Sequence, residues 1–304
     1  SLFLTGRFRL NPLHHAGKTP AEGSFIMFYI PDSYLSSLIQ EDLQFMDLTV
    51  MALGIENVPA KLSCFPKTDC TLAGVEEAAR VLRLAGAEAN VLLKSGTDAA
   101  GGSVCLQAEG SAGAIHGVYK LAQNIMEYSS AIATRTKALV TSAQAANPNT
   151  RVAVTRKNFP GTKALSLKAA LAGGAGIHRL GLSDSILVFD QHRVMTDDFL
   201  TQIAQMKKDF PEKQIAAEAE NAAEGLAYIA AGVDSLQCER FSPAELAQFV
   251  KEAKGINPQV TVLAAGGINS DNAAAYATAG ADVLVTSWVY FGKPQDIKMS
   301  FSRG

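Results

Sequence analysis

The sequence predicts an α/β fold whose second half winds parallel strands and helices into a barrel, behind a smaller α+β segment. Three observations predict it. After the turn-like Asn147-Pro148-Asn149, short β-rich runs alternate with longer helical stretches, each set off by Gly, Asp, Asn or Pro. Polar, chemically loaded residues stand at the C-terminal end of nearly every predicted strand, where barrel active sites are built. Upstream, helical and strand-like patterns mix without that regular alternation.

The chain has 304 residues, of which 48% are hydrophobic and 18% charged, enough for one large domain or two modest ones. A formal net charge of -2 provides no global basic field, so nucleic acid and anionic membrane surfaces are not expected partners. Any anion binding must come from a local cluster. Cys64, Cys70, Cys105 and Cys238 show no CxxC pair and no metal spacing, as for reduced thiols in a cytoplasmic protein. No apolar run approaches the roughly 20 residues that span a bilayer.

Residues 1–26 lack sustained periodicity and read as a leader or added extension, with the folded protein beginning near Met27. Asp32 or Ser33 can cap a helix running to Gln40. Residues 75–85 have helical spacing, and 89–93 with 103–107 read as two strands around a Gly-rich turn. Residues 115–134 carry a long helical pattern with Ile115, Val118, Leu121, Ala122, Ile125 and Met126 on one face. Strands are then expected at 152–155, 185–188, 214–218, 235–237, 261–265 and 283–286. The helices between them centre on 165–171, 199–208, 222–231, 244–253 and 272–279. Right-handed crossovers joining such units can wind an open sheet or close a barrel. The loaded strand ends favour the barrel.

Those ends read Thr155-Arg156-Lys157, Glu218 with Glu220, Glu239-Arg240, Gly266-Gly267 and Thr286-Ser287. His178-Arg179 follows the flexible run Gly173-Gly174-Ala175-Gly176 and can reach over the same mouth. Arg156, Lys157 and Arg179 in one pocket would bind several phosphate or carboxylate oxygens, because a guanidinium offers paired donors and an ammonium a point charge. The alternative is a set of solvated loop charges. Glu218 and Glu239 end neighbouring strands and can meet one ligand, through Mg²⁺ or ribose hydroxyls, or can steady positive charge at a sugar C1. They can equally pair with the basic cluster. Gly266-Gly267, with Asn269 or Ser270 near a helix cap, can offer backbone amides to a terminal phosphate or merely turn the chain. His178 is the favoured anion donor over His192, which can cap a loop, and His116 reads as structural within the long helix.

Thr155-Arg156-Lys157-Asn158-Phe159-Pro160-Gly161, residues 177–184 and Glu41-Asp42 through Asp47-Leu48-Thr49 resemble the nicotinate-nucleotide pyrophosphorylase (quinolinate phosphoribosyltransferase) family. Phe189-Asp190-Gln191-His192, residues 129–136 and Lys298 after Asp296-Ile297 are similar to its ModD branch, associated with molybdenum transport. The likeness covers roughly Pro31 to Met299. It implies an N-terminal α/β sandwich over 27–137, completed by 288–304, and a partly open barrel of about six βα units over 138–287, of the type II phosphoribosyltransferase kind. It also implies a homodimer with shared active sites, larger oligomers being left open. The implied reaction moves phosphoribose from Mg²⁺-bound phosphoribosyl pyrophosphate to a ring nitrogen, releasing pyrophosphate.

By the same resemblance Lys157, Glu218 and Glu239 are catalytic, and Lys120, Arg156, His178 and Arg179 bind substrate, with Lys120 donated by the partner. Gly266, Gly267 and Ser287 bind phosphate, and Glu218 and Glu239 reach Mg²⁺ through the substrate. Four positions depart from the quinolinate enzymes: Phe189 replaces a lysine, Leu263 a glutamate, Ser287 a glycine and Phe291 a histidine. Losing the lysine removes one positive charge from a site for a dianionic acid. The expected function is therefore phosphoribosyl transfer to an unassigned nitrogen heterocycle. The alternatives are the quinolinate reaction of NAD synthesis and, from another class, a non-catalytic oxyanion binder.

Overall fold

The computed structural model describes residues 28–304. The expected extension over 1–26 lies outside them. Among the described residues, no helix is long and apolar enough to cross a membrane.

The first part contains α1 (Asp32–Asp42), α2 (Leu48–Leu53), β1 (Pro59–Pro66), β2 (Cys70–Thr71), α3 (Val75–Leu84), β3 (Glu88–Val91), β4 (Asp98–Ala99), β5 (Leu106–Ser111), α4 (Ala112–His116) and α5 (Tyr119–Ala146). β1 buries Ala60, Leu62 and Cys64 on one face. It is central to a four-stranded antiparallel sheet that also holds β5, β3 and the C-terminal β13 (Ile297–Arg303). This strand escapes the sequence reading because its alternation is short and framed by prolines. α1 has no side-chain cap. Asp32 instead lies in its first turn and accepts from Arg80 Nε at 3.0 Å.

The predicted long helix is two helices. Gly117 and Val118 interrupt it, so His116 ends α4, stacked on Phe301 with ring centroids 4.5 Å apart. α5 then runs on to Ala146, past the expected end, and lies against both cores.

The second part comprises β6 (Arg151–Val154), α6 (Lys163–Ala172), β7 (Gly176–Ile177), β8 (Ile186–Val188), α7 (Asp190–Arg193), α8 (Phe199–Asp209), β9 (Ile215–Ala219), α9 (Ala222–Ala231), β10 (Ser235–Glu239), α10 (Pro243–Ile256), β11 (Thr261–Ala265), α11 (Ala273–Thr278) and β12 (Val283–Thr286). The six expected strands are present, joined by a seventh, β7. They form a curled parallel sheet in the order β7-β6-β12-β11-β10-β9-β8. β7 and β8 follow one another in the chain yet stand at opposite edges, so the barrel is open between them.

Gly173 is not part of a flexible run. A Cβ there would come within 2.5 Å of Ala133 O and of Thr136 Cβ, so the missing side chain lets the end of α6 pack onto α5. The two parts are also tied by charge: Lys168 on α6 reaches Glu77 at 2.7 Å and Glu76 at 3.4 Å on α3. All four cysteines are free and buried. Burial pushes the Cys238 thiol up to about 12 and the Cys70 thiol to about 11.

Candidate active site

Parallel strands deliver their C-terminal ends to one rim, and the predicted cations gather there. Arg156 and Lys157 follow β6, and His178 and Arg179 follow β7; all four line a small cavity of about 90 Å³ with Thr155, Leu187, Phe189, Gln237 and Val285. A larger cleft of about 590 Å³ adjoins it at the barrel opening, sharing Arg156, Arg179 and Phe189 and adding His192, Phe199 and Met206.

Among the described residues, no ion pair engages Arg156, Lys157 or Arg179. Arg179 is 7% exposed. Among the described residues its guanidinium makes only a long bond of 3.5 Å to Ser185 O, and it lies over the Phe189 ring, 5.8 Å from the centroid. Burial and then the Arg156 charge pull its pKa down, with Asp184 opposing. His178 is lowered as well, by burial and then by Arg179. Among the described residues the cavity therefore holds cations that no ion pair offsets, with Asp184 acting on Arg179 only from a distance, and such a cluster is the electrostatic signature of a site for a polyanion.

The carboxylates stand on the adjoining strands. Glu218 accepts from Gln237 Nε2 at 2.6 Å. Burial raises the Glu218 pKa, the Gln237 bond offsets part of that, and nearby Glu239 adds to the rise. Glu239 faces Arg240 at 3.5 Å. Neither glutamate pairs with the basic cluster, which removes the salt-bridge alternative. Among the described residues no three His, Cys, Asp or Glu side chains gather as a metal site. Two carboxylates do suit Mg²⁺, which commonly uses one or two together with substrate phosphates and water.

Gly266 and Gly267 have φ of 87° and 77°. A Cβ on Gly266 would sit 2.7 Å from Glu239 Oε1, so glycine is what allows the β11 turn to pass this carboxylate. The helix cap expected just after the pair is displaced: α11 begins only at Ala273, and Asn269 instead closes a local turn by accepting from Asp271 N and Asn272 N. The amides on offer thus belong to a glycine loop, not to a helix terminus. Thr286 Oγ1 donates to Ile268 O at 2.7 Å and fixes that loop to the end of β12, beside Ser287.

Lys120 is not brought to this mouth. It is exposed on α5, donating to Gln123 Oε1 at 2.9 Å. His192 caps a loop by accepting from Phe189 N at 3.0 Å and also lines the larger cleft. The sequence reading missed two residues. Arg193 donates to Glu218 O at 2.5 Å and holds the end of β9. Gln237 lies within a strand the sequence does predict, but its burial, which is what sets this amide apart, appears only in the fold.

Residues 132–300 match the family described as quinolinate phosphoribosyl transferase, C-terminal domain, and residues 47–130 match its N-terminal domain. The chain belongs to the quinolinate phosphoribosyl transferase family. It is thereby a pentosyltransferase. A protein named pyrophosphorylase ModD from Rhodobacter capsulatus is 42% identical over 252 residues, covering 82% of this chain and 96% of that one. A nicotinate-nucleotide pyrophosphorylase (carboxylating) from Methanothermobacter thermautotrophicus is 27% identical, covering 84% and 92%. Among solved structures, NadC from Streptococcus pyogenes superposes with a TM-score of 0.82 at 25% identity, covering 90% of this chain and 96% of that chain. The enzyme from Francisella tularensis has the same fold, with a TM-score of 0.82 at 22% identity over 90% and 98%. Two of the departures can be located in this fold. Phe189 forms a cavity wall, and Leu263 is buried on β11 in register with Gln237.

Proposed function

We propose that the chain transfers phosphoribose from Mg²⁺-phosphoribosyl pyrophosphate to the ring nitrogen of a heterocyclic acceptor, as a ModD-type pyrophosphorylase. The observation that carries this reading is the set of unpaired cations, Arg156, Lys157 and Arg179, converging with His178 on one cavity beside two carboxylates.

In this reading Arg156, Arg179 and His178 hold the anionic groups of the two substrates, and Lys157 stabilises charge as the bond to pyrophosphate breaks. Gly266, Gly267 and Ser287 receive the terminal 5′-phosphate. The acceptor nitrogen forms a bond to C1 of the ribose while the C1–oxygen bond to pyrophosphate breaks and its electron pair leaves with pyrophosphate. Glu218 and Glu239 steady the positive charge on the sugar and reach the substrate-borne metal. Mg²⁺ bound there would supply neutralisation of the pyrophosphate oxygens.

The reading includes a homodimer in which Lys120 completes the partner's site. Its support is the exposed apolar run Phe45, Met46, Leu48, Met51 and Leu53, which begins just beyond Leu43. Leu43 in turn lies against Gly117, three residues before Lys120. Buried reduced thiols support a cytoplasmic setting. A tie to molybdenum use rests on the ModD resemblance alone.

The test is thermal unfolding with Mg²⁺ and phosphoribosyl pyrophosphate, since a ligand at 100 times its Kd stabilises by about 2.7 kcal/mol. The expected result is a rise in Tm that Lys157→Ala loses. No rise in the wild type would overturn the reading. A second reading, the quinolinate reaction of NAD synthesis, is supported by the likeness to NadC and opposed by Phe189. Release of carbon dioxide from quinolinate and phosphoribosyl pyrophosphate would decide for it.

A further inference from the structure

We infer that Gln237 selects the acceptor. Its side-chain oxygen receives a hydrogen bond from an N–H on the edge of the heterocycle, so the acceptor carries an amide, lactam or amino donor where quinolinate carries a second carboxylate. The inference rests on the phosphoribosyl-transfer reading.

Gln237 is 6% exposed and lines the small cavity with Lys157, His178, Arg179 and Phe189. Its Nε2 donates to Glu218 Oε2 at 2.6 Å. An ionised carboxylate can only accept, so the nitrogen must face Glu218 and the oxygen must face away. That oxygen, Oε1, is buried and meets no donor among the described residues. The strand register gives its neighbours. Gln237 pairs with Glu218 of β9 on one side and with Leu263 of β11 on the other. Leucine has no hydrogen to donate.

A buried carbonyl without a donor is costly to keep, and a ligand that supplies the donor regains that cost on binding. A second carboxylate at the same place would set an acceptor against an acceptor. Phe189 points the same way, because the wall it forms is apolar and its ring already faces the Arg179 guanidinium. The remaining cations of the cavity suit one carboxylate of the acceptor alongside the phosphates. A mono-anionic ring with one N–H donor fits both halves of this lining.

The experiment titrates the full chain, with Mg²⁺ and pyrophosphate present, with three matched probes: quinolinate, 3-carbamoylpyridine-2-carboxylate and 2-carbamoylpyridine-3-carboxylate. Each monoamide exchanges one carboxylate for an N–H donor. One monoamide should bind about tenfold more tightly than quinolinate, since a site built for a donor discriminates against its absence. Gln237→Met removes the acceptor atom. Leu263→Gln leaves the Gln237–Glu218 bond in place and offers Oε1 an internal donor. Either substitution should bring the ratio to within about twofold. A purely structural role for Gln237 would shift all three affinities together and leave the ratio alone. Quinolinate binding as well as both monoamides, binding of neither monoamide, or a ratio that survives both substitutions overturns the assignment. Phosphoribosyl pyrophosphate binding is measured alongside. If the wild type binds it and the ratio is absent, only the Gln237 assignment fails; if the wild type does not bind it, the transfer reading falls and takes this assignment with it.

Discussion

Lys168 and Arg179 are both nearly buried cations, 8% and 7% exposed, and their surroundings differ in one respect. Lys168 meets two carboxylates, Glu77 and Glu76, across the junction between α6 and α3. Arg179 meets no carboxylate within bonding distance and has another cation, Arg156, near enough to depress its pKa. Burying charge is costly in either place. At Lys168 the cost is offset inside the chain, and the result joins two packed cores. At Arg179 it is left open, and an anion arriving from solution would offset it. In the proposed reading the difference separates a charge that serves the fold from one that serves a ligand.

The largest effect expected from this contrast is at Lys168. Lys168→Met strands Glu77, whose Oε2 already lacks a partner, and should lose about 3–5 kcal/mol in equilibrium urea unfolding. A loss below about 1 kcal/mol would break the comparison. Arg179→Met keeps most of the buried stem. It should leave stability unchanged or slightly raised while weakening binding of Mg²⁺-phosphoribosyl pyrophosphate about tenfold to a hundredfold, read by calorimetric titration. A stability loss as large as that of Lys168→Met would show that both cations serve the fold.

Acid and base limbs sharpen the contrast. Burial pushes the Glu76 carboxyl up, but the Ser95 hydroxyl and amide and the Lys168 ammonium outweigh it, so its pKa lies below the ordinary value. Its stabilising contribution is therefore complete above the ordinary glutamate pKa of about 4.3 and is lost as pH falls through the folded value. Glu76→Gln should flatten the acid limb of stability against pH. Glu218 has the opposite sign, its pKa being raised chiefly by burial. Its contribution is complete below the ordinary value and is lost as pH rises through the folded one. Glu218→Gln should then equal or exceed wild-type stability at pH 7 while transfer activity falls; a stability loss at pH 7 would contradict a carboxylate kept at the expense of the fold.

The smallest effect is expected at Arg240. Its side chain is exposed where it pairs with the partly buried Glu239, and its φ of 58° is the one positive value outside glycine among the described residues. Arg240→Gly gives up a weak surface pair and relieves a left-handed backbone, so stability should stay within about 1 kcal/mol. A larger loss would put this exposed cation in the structural class with Lys168.

Much of this was legible in advance because it is local. The runs that became β11 and β12 and the helix α9 announce themselves by period and by flanking turn residues, and Arg156, Lys157, Glu218 and Glu239 announce themselves by ending strands. What escaped is not local. β7 is two residues long and has no period to read. β1 takes its importance from β5 and β13, which lie far from it in the chain. The break between α4 and α5 falls at Val118, whose φ is -135°, beside a Gly117 that the close approach of Leu43 keeps free of a side chain, and the retreat of α11 from the glycine pair follows from the Asn269 turn.

The sequence by itself determined the kind of fold and the charges at its mouth. Alternating periods fix strands and helices, parallel strands must present their ends together, and no side chain at those ends can change its chemistry. Only the tertiary structure decided which charges are offset and which are not. Pairing depends on what stands across a strand or a helix junction, and that is how Lys168 found two carboxylates, Arg179 found none, and the Gln237 oxygen was left without a donor.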